Sequence, residues 1–513
     1  MRSMSLAFGL TNTLSGALAL TLIAGAAHAA IVPAVKVVEE GGSVEGIAGS
    51  AVSSLTEPAT DAAGRVGYGA VLSGTSEVVV AVRGRGPVFR SSQVSTHTFS
   101  GIETRLAIAQ NGDLYLFSSS IGIGAANRTD GIWGSSGFIA NQTSAAFGIP
   151  NRWLRASSSP IMGENGNLAW ISSLSSVAGG VTLPERGLFT SPSPSSTPAA
   201  QLYTGLSVLA RDGTTPLPLS NAPGPDISFD HDISKDGNSR ANTLRVLKPG
   251  NLSSTPIITI AGIEVASVGD AFTTGTFAGS LISSFTGLSI NNAQGETESN
   301  LLTMGSLASG IGFVAVDGEP VMTATDTYGG ITLVNPATPR LGGLTDDGRF
   351  AAVWGYTDPE TFTTRQAIFV GPIDGSSPIT LIAQSGDTLD FDNNGTPDAD
   401  LISIPTPINR SWDLASDGMV YLTVQIADIG QPTPRNAIVG FSIGTVTAAC
   451  DDIDFNNNDV FPEDQDVVDF FNVLAGADCP TCNDIDFNNN GVFPEDQDVI
   501  DFFNVLAGGT CPQ

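Results

Sequence analysis

The chain has 513 residues and a formal net charge of −30, with only 14% charged residues, four cysteines and three histidines. A protein this acidic repels phosphate backbones, which excludes nucleic acid as a partner. So few histidines leave almost no room for a histidine metal centre.

At the start, Arg2 precedes an apolar stretch from Leu14 to Gly25, and Ala27-His28-Ala29 supplies a small-x-small site. This pattern predicts a signal peptide over residues 1–29 with cleavage before Ala30. The run is short and broken by Ser15, Gly16 and Thr21, which argues against a membrane anchor. No other segment reaches the length needed to span a bilayer. The expected product is secreted, extracellular or cell-surface associated, without a transmembrane segment.

Residues 30–447 are rich in Gly, Ser, Thr, Pro and β-branched residues and show no long helical periodicity, an all-β composition. A loose repeat runs through them, in which a tight turn with glycine is followed by alternating apolar residues. It occurs at Asp61 to Gly64 before Val66-Gly67-Tyr68, Gln110 to Gly112 before Leu114-Tyr115-Leu116, and Glu164 to Gly166 before Leu168-Ala169-Trp170. It recurs at Lys235 to Gly237, Ala293 to Gly295, Asp346 to Gly348 before Phe350 to Trp354, and Ser416 to Gly418 before Val420-Tyr421-Leu422.

The seven glycines are separated by 48, 54, 71, 58, 53 and 70 residues. Asn-Gly and Asp-Gly between apolar runs are hairpin signals, and seven at this spacing predict a seven-bladed β-propeller. A pair of β-sandwiches or a β-solenoid is the alternative. Second strands are expected at Arg186 to Phe189, Gln366 to Val370 and Asn436 to Phe441. Two loop insertions, Thr190 to Ala200 and Gly386 to Ala399, account for the two long spacings. Within the second, Asp390, Asp392, Asn394, Gly395 and Asp398 take positions 1, 3, 5, 6 and 9 of a calcium loop, although such clusters also make plain turns.

Motifs for enzyme chemistry are scarce. Once the signal is removed, His97 and His231 are the histidines that remain, and Asp230-His231-Asp232 lacks a third member for Ser-His-Asp catalysis. The chain has no Gly-x-Ser-x-Gly elbow, P-loop or dinucleotide fingerprint. Paired carboxylates for glycoside hydrolysis depend on spatial separation, which sequence spacing does not report.

The tail, 448–513, is one segment written twice: Cys450 to Cys479 returns as Cys482 to Cys511. Residues 450–513 hold 15 Asp or Glu and no Lys, Arg or His, so they carry −15 of the chain's −30. Carboxylates at this density repel one another unless a cation neutralises them. Oxygen ligands at positions 1, 3 and 5, a turn glycine at 6 and an apolar residue at 8 define an EF-type calcium loop. The second repeat supplies Asp486, Asn488, Asn490, Gly491 and Phe493; the first supplies Asp454, Asn456, Asn458, Asp459 in place of glycine, and Phe461. Asp466 and Asp498 close these loops one residue late. A second register, starting at Asp452 and Asp484, would close on Glu463 and Glu495 instead. Oxygen-only ligands select Ca2+ over zinc.

Val467 to Leu474 and Val499 to Leu506 repeat at helical spacing, ended by Ala-Gly. Adjacent helical residues diverge by about 100°. One ring of each pair, Phe470–Phe471 and Phe502–Phe503, should therefore stay partly exposed. Two loop–helix units in tandem resemble the dockerin module, and the flanking cysteines and the terminal run Leu506 to Cys511 are similar to its GC-type C-terminal form. The Phe461-Pro462 and Phe493-Pro494 pairs depart from the cellulosomal pattern. The resemblance implies calcium-dependent attachment of residues 450–513 to a cohesin-like or cell-surface protein.

All four cysteines lie in the tail. Pairing Cys450 with Cys479 and Cys482 with Cys511 would staple each unit, and two other connectivities stay open. The expected function is non-enzymatic binding or display, with a glycan or protein ligand for the propeller. The alternative is a propeller hydrolase or lyase acting on extracellular polysaccharide.

Overall fold

The computed structural model describes residues 30–506 apart from 50, 62–63, 103–105, 110–111, 124–127, 142, 158–159, 179, 181, 192–198, 203–206, 219–230, 235, 249–253, 275, 292–298, 325, 334–338, 346, 359–361, 374–377, 405–409, 412–413, 415–417, 432, 444–452, 459–463, 478, 484, 486 and 488–495. The chain is mainly β. Six sheets of four to six strands follow one another over residues 52–90, 97–141, 153–202, 207–267, 282–323 and 339–384. The two ends of this array meet in a closed five-stranded ring. There β1 (Ile31–Glu39) joins the strands Thr388–Asp390, Ala399–Ser403, Met419–Asp428 and Arg435–Ser442.

Strand periodicity explains why the sheets stack around a circle. Successive side chains point to opposite faces, so a strand apolar at every position needs cover on both sides. Val78–Val82 is buried throughout. Val78 and Val80 pack on the sheet of residues 97–141, through Phe99, Leu106 and Phe117. Val79 and Ala81 pack the other way, on Val38, Tyr421 and Ile438 of the ring. Likewise Phe350, Ala352 and Trp354 face the sheet of 282–323, whereas Ala351 and Val353 face the ring. Further clusters join 97–141 to 153–202, 153–202 to 207–267, and 207–267 to 282–323. The apolar contacts thus return to their starting point, giving a propeller-like arrangement.

Most of the repeated glycine turns occupy one structural position. At Gly64, Gly112, Gly166, Gly237 and Gly348 the turn joins a short strand to the long strand it pairs with, whereas Gly418 lies between Arg410–Ser411 of the sheet of 339–384 and Met419–Asp428 of the ring; φ runs from 70° to 82° at all six. The next residue begins or precedes the strands Val66–Leu72, Leu114–Ile123, Leu168–Ser175, Arg240–Val246, Arg349–Thr357 and Met419–Asp428. Gly295 lies outside the described residues. The expected second strands fall within Thr182–Ser191, Thr364–Pro372 and Arg435–Ser442.

Both expected insertions are shorter than the sequence suggests. Thr190, Ser191, Ala199 and Ala200 belong to paired strands, because the edge strand Ala199–Leu202 zips onto Gly187 to Thr190. In the other, Thr388–Asp390 is a strand that pairs in parallel with Ile31 to Pro33, so the true loop is 391–398.

Neighbouring turns also touch. Asn165 Nδ2 donates to the Asp236 carbonyl at 2.5 Å and Asn167 Nδ2 to the Gly237 carbonyl at 2.9 Å. A Cβ on Gly237 would sit 2.1 Å from Asn165 Oδ1, whereas Gly74, at φ 81°, has nothing within 4 Å. Ala at Gly237 therefore meets backbone strain and a collision, and Ala at Gly74 meets strain alone, which costs about 1–3 kcal/mol. Urea denaturation should show Gly237→Ala to be clearly the more destabilising; equal costs would contradict this inter-sheet contact.

Candidate metal centres

The loop 391–398 brings three carboxylates together. Oxygens of Asp390, Asp392 and Asp398 lie within 4.8 Å of one another, with Asp390 buried and the other two exposed. Asp390 ends the strand Thr388–Asp390, and the loop folds back on it. Asp390 Oδ1 accepts the Asn394 N–H at 3.2 Å and Oδ2 the Gly395 N–H at 2.7 Å. Asp398 Oδ2 accepts the Phe391 N–H at 2.7 Å, and Asn394 Nδ2 donates to Asp392 Oδ2 at 2.9 Å. Asn393 and Gly395 supply the tight reversal, at φ 55° and 83°. Burial works against ionisation of Asp390, but the N–H groups of Gly395 and Asn394 outweigh it and hold its carboxyl below the ordinary range. Such a hard-oxygen trio is chemically suited to a divalent cation.

The tail contains two 11-residue helices, α1 (Asp464–Leu474) and α2 (Asp496–Leu506). Four buried rings make its core. Phe470 and Phe502 stack at 4.1 Å, Phe455 meets Phe470 at 5.2 Å and Phe487 meets Phe502 at 5.1 Å. The cross-pairs, Phe455–Phe502 at 6.2 Å and Phe470–Phe487 at 6.3 Å, match as a two-fold arrangement requires. Phe455 and Phe487 escaped the sequence reading, although Asp-Phe-Asn stands in both repeats and marks them. Each helix turns one ring inward and leaves the next outside, with Phe471 42% and Phe503 40% exposed.

In the first loop Asp454 is buried. Its Oδ1 accepts the Asn458 N–H at 3.0 Å, and its carbonyl the Asn457 N–H at 3.0 Å. Asn456 Nδ2 donates to Asp469 Oδ2 at 3.0 Å. Asn457, at φ 54°, reaches the Thr481 carbonyl and Asn483 Oδ1, and the Asn483 N–H returns to the Phe455 carbonyl, so the repeats are laced together. Asp466 and Asp498, the third residue of each helix, are both fully buried. The helix N-terminus favours a carboxylate there. The module has no basic side chain to supply the rest of the countercharge. Asp486, Asn488, Asn490, Asp452, Glu463, Asp484 and Glu495 lie outside the described residues.

Of the connectivities left open, the structure is incompatible with the staples Cys450–Cys479 and Cys482–Cys511. Cys479 is bonded to Cys482, with Cα atoms 5.4 Å apart. The physical reason is the Pro480-Thr481 turn between the repeats, closed by the Cys482 N–H on the Cys479 carbonyl at 3.3 Å. This brings two cysteines of different repeats within bonding distance. Cys450 and Cys511 lie outside the described residues.

The two histidines have structural surroundings. His231 is buried opposite Asn242 in a strand pair, and Asp232 Oδ2 accepts Ser289 Oγ at 3.0 Å and the Ile290 N–H at 3.1 Å, which ties two sheets together. Residue 230 is outside the described residues. His97 stacks on Phe138 at 4.9 Å and meets Trp133 edge-on at 5.0 Å, and burial pushes its pKa down.

No protein-family model matches this chain, and no curated protein matches it. Several solved structures are similar over much of its length. Prolyl oligopeptidase B from Galerina marginata shares 12% identity at a TM-score of 0.37, over 76% of this chain and 51% of that one. The chain thus spans about half of that enzyme. Kuenenia stuttgartiensis hydrazine synthase shares 9% at 0.34, over 75% and 99%. A GH43 β-1,3-galactosidase solved with galactodeoxynojirimycin shares 10% at 0.27, over 54% and 92%. Likeness at this level carries no information on chemistry.

Without a cation, the Asp390 trio is a cluster of like charges; with one, it is a ligand set. Asp392→Asn should therefore raise the melting midpoint in chelator and abolish the rise produced by calcium. Scanning calorimetry with and without calcium checks both signs; a variant that keeps the calcium-dependent rise would remove Asp392 from the site.

Proposed function

We propose that this is a secreted, calcium-dependent display protein. Residues 30–447 are read as a seven-bladed propeller, with the five-stranded ring counted as the seventh blade. Residues 448–513 are read as a dockerin-like anchor that takes Ca2+ in its two loops and docks on a cohesin-like or cell-surface protein. Residues 1–29 direct export and are removed.

One observation carries this reading: Asp454, Asp466 and Asp498 are buried in a module whose sequence contains no cationic side chain. Fifteen carboxylates crowded into this module repel one another, and a bound calcium ion would offset that repulsion and couple metal binding to folding. Once the four-ring core has formed, Val468, Phe471, Ile500 and Phe503 remain exposed, at the same positions in both helices. The outer rings of Phe471 and Phe503 lie 5.9 Å apart, which gives a partner one apolar anchor shared by both repeats.

The second reading is a propeller hydrolase or lyase of extracellular polysaccharide, delivered by the same anchor. Glycoside hydrolysis is what the name of the GH43 structure states of that protein. Hydrolysis is the other outcome of an assay. Incubating the purified chain with extracellular polysaccharides should leave reducing ends unchanged; their release would replace the display reading with the enzymatic one.

Deleting residues 450–513 should release the protein from the cell surface into the medium. Phe471→Asp together with Phe503→Asp should reduce surface retention at least tenfold while calcium-induced helicity persists. Unchanged retention in both would reduce the tail to a terminal cap.

A further inference from the structure

We propose that cleavage of the Ala29–Ala30 bond completes the scaffold by creating an α-ammonium group that pairs with the buried carboxylate of Asp387. The inference rests on the signal-peptide reading of residues 1–29 and extends it to a structural consequence of processing.

The first described residue is already fixed at both ends of its backbone. The Ala30 nitrogen lies 3.1 Å from Asp387 Oδ1. The Ala30 carbonyl accepts the Thr388 N–H at 2.9 Å and the Thr388 hydroxyl at 3.3 Å. The next three residues, Ile31 to Pro33, pair in parallel with Thr388 to Asp390. The proposed cleavage point therefore adjoins the strand that closes the ring.

Asp387 is 3% exposed, and its second oxygen accepts the Gln384 N–H at 2.8 Å. Burial pushes its carboxyl above the ordinary range. The N–H groups of Gln384 and Ala30 and the charge of Arg365 pull it down without cancelling that push. The other ionisable groups nearby are already engaged: Arg365 pairs with Asp358 at 2.7 Å, and the Tyr356 hydroxyl bonds Gln384 Oε1. A neutral amide at Ala30 thus leaves the carboxylate incompletely compensated. An ammonium group at the same nitrogen would supply a full opposite charge.

Processing supplies that charge. A membrane-bound processing peptidase adds water across the Ala29–Ala30 amide. Ala29 leaves with the new carboxylate, and the Ala30 nitrogen takes the proton. Free α-amino groups titrate at about 7.7–8.0, so this one is charged at neutral pH, and an opposite charge beside it raises its pKa further. The precursor cannot make this pair, which gives the mature chain a tighter ring closure than its precursor.

The test uses four forms of the 30–513 chain: free or Nα-acetylated at Ala30, each with Asp387 or with Asp387→Asn. Acetylation restores the neutral amide while keeping its hydrogen bond. It should lower the melting midpoint by about 1–3 °C when Asp387 is present and leave it unchanged in Asp387→Asn. Equal effects in both backgrounds would overturn the pairing. If Asp387→Asn does not fold, NMR titration of the Ala30 amine in the unsubstituted chain decides: a pKa above the ordinary range supports the pair, and an ordinary or lowered one refutes it. N-terminal sequencing of the exported protein tests the underlying reading separately, since a start other than Ala30 would reject the processing step whatever the four-form comparison shows.

Discussion

The architecture depends on one constraint: nearly every sheet is apolar on both faces and cannot stand alone in water. Val78–Val82 and Arg349–Thr357 each send alternate residues to two different neighbours. A row of such sheets has two raw ends, and only joining them leaves none. β1 makes that join. It pairs with Arg435–Ser442 on one side and Thr388–Asp390 on the other, although hundreds of residues separate it from both. Glu39 and Glu40 add polar latches on Arg435 and Asn436, at 2.8 and 3.0 Å. Contacts of such sequence separation are slow to form, because loop closure precedes its reward.

The tail solves the opposite problem. It has little apolar surface to bury and a large excess of one charge. Four phenylalanines give it a compact core, and Asp454, Asp466 and Asp498 are buried beside it. The same economy is visible at Asp390, where a turn between two ring strands concentrates three carboxylates beside the N-terminal strand.

Much of this was legible in the sequence because glycine at positive φ leaves a clear mark. The Asn-Gly and Asp-Gly turns located the same joint in one sheet after another. The helices of the tail and the division of each Phe pair into a buried and an exposed ring followed from helical geometry alone. Other features depend on partners far along the chain. Nothing near Ile31 shows that it pairs with Thr388, and nothing near Gly386 separates a loop from a short closing strand. The disulfide connectivity stays open in the sequence because symmetric staples and a bond across the repeats are both compatible with the spacing, and it is the turn between the repeats that brings Cys479 to Cys482. Phe455 and Phe487 were overlooked since a calcium-loop pattern directs attention to its oxygens and not to the ring beside the first ligand.

The central claim is a ring-closed scaffold carrying separate cation-dependent elements, and hydrogen exchange of the intact chain with calcium and then with chelator tests it most directly. The account predicts that chelation removes protection from residues 391–398 and from the tail, including α1 and α2, while the strands Arg349–Thr357 and Met419–Asp428 stay protected. Protection unchanged in the tail, or lost evenly through the sheets, would contradict it.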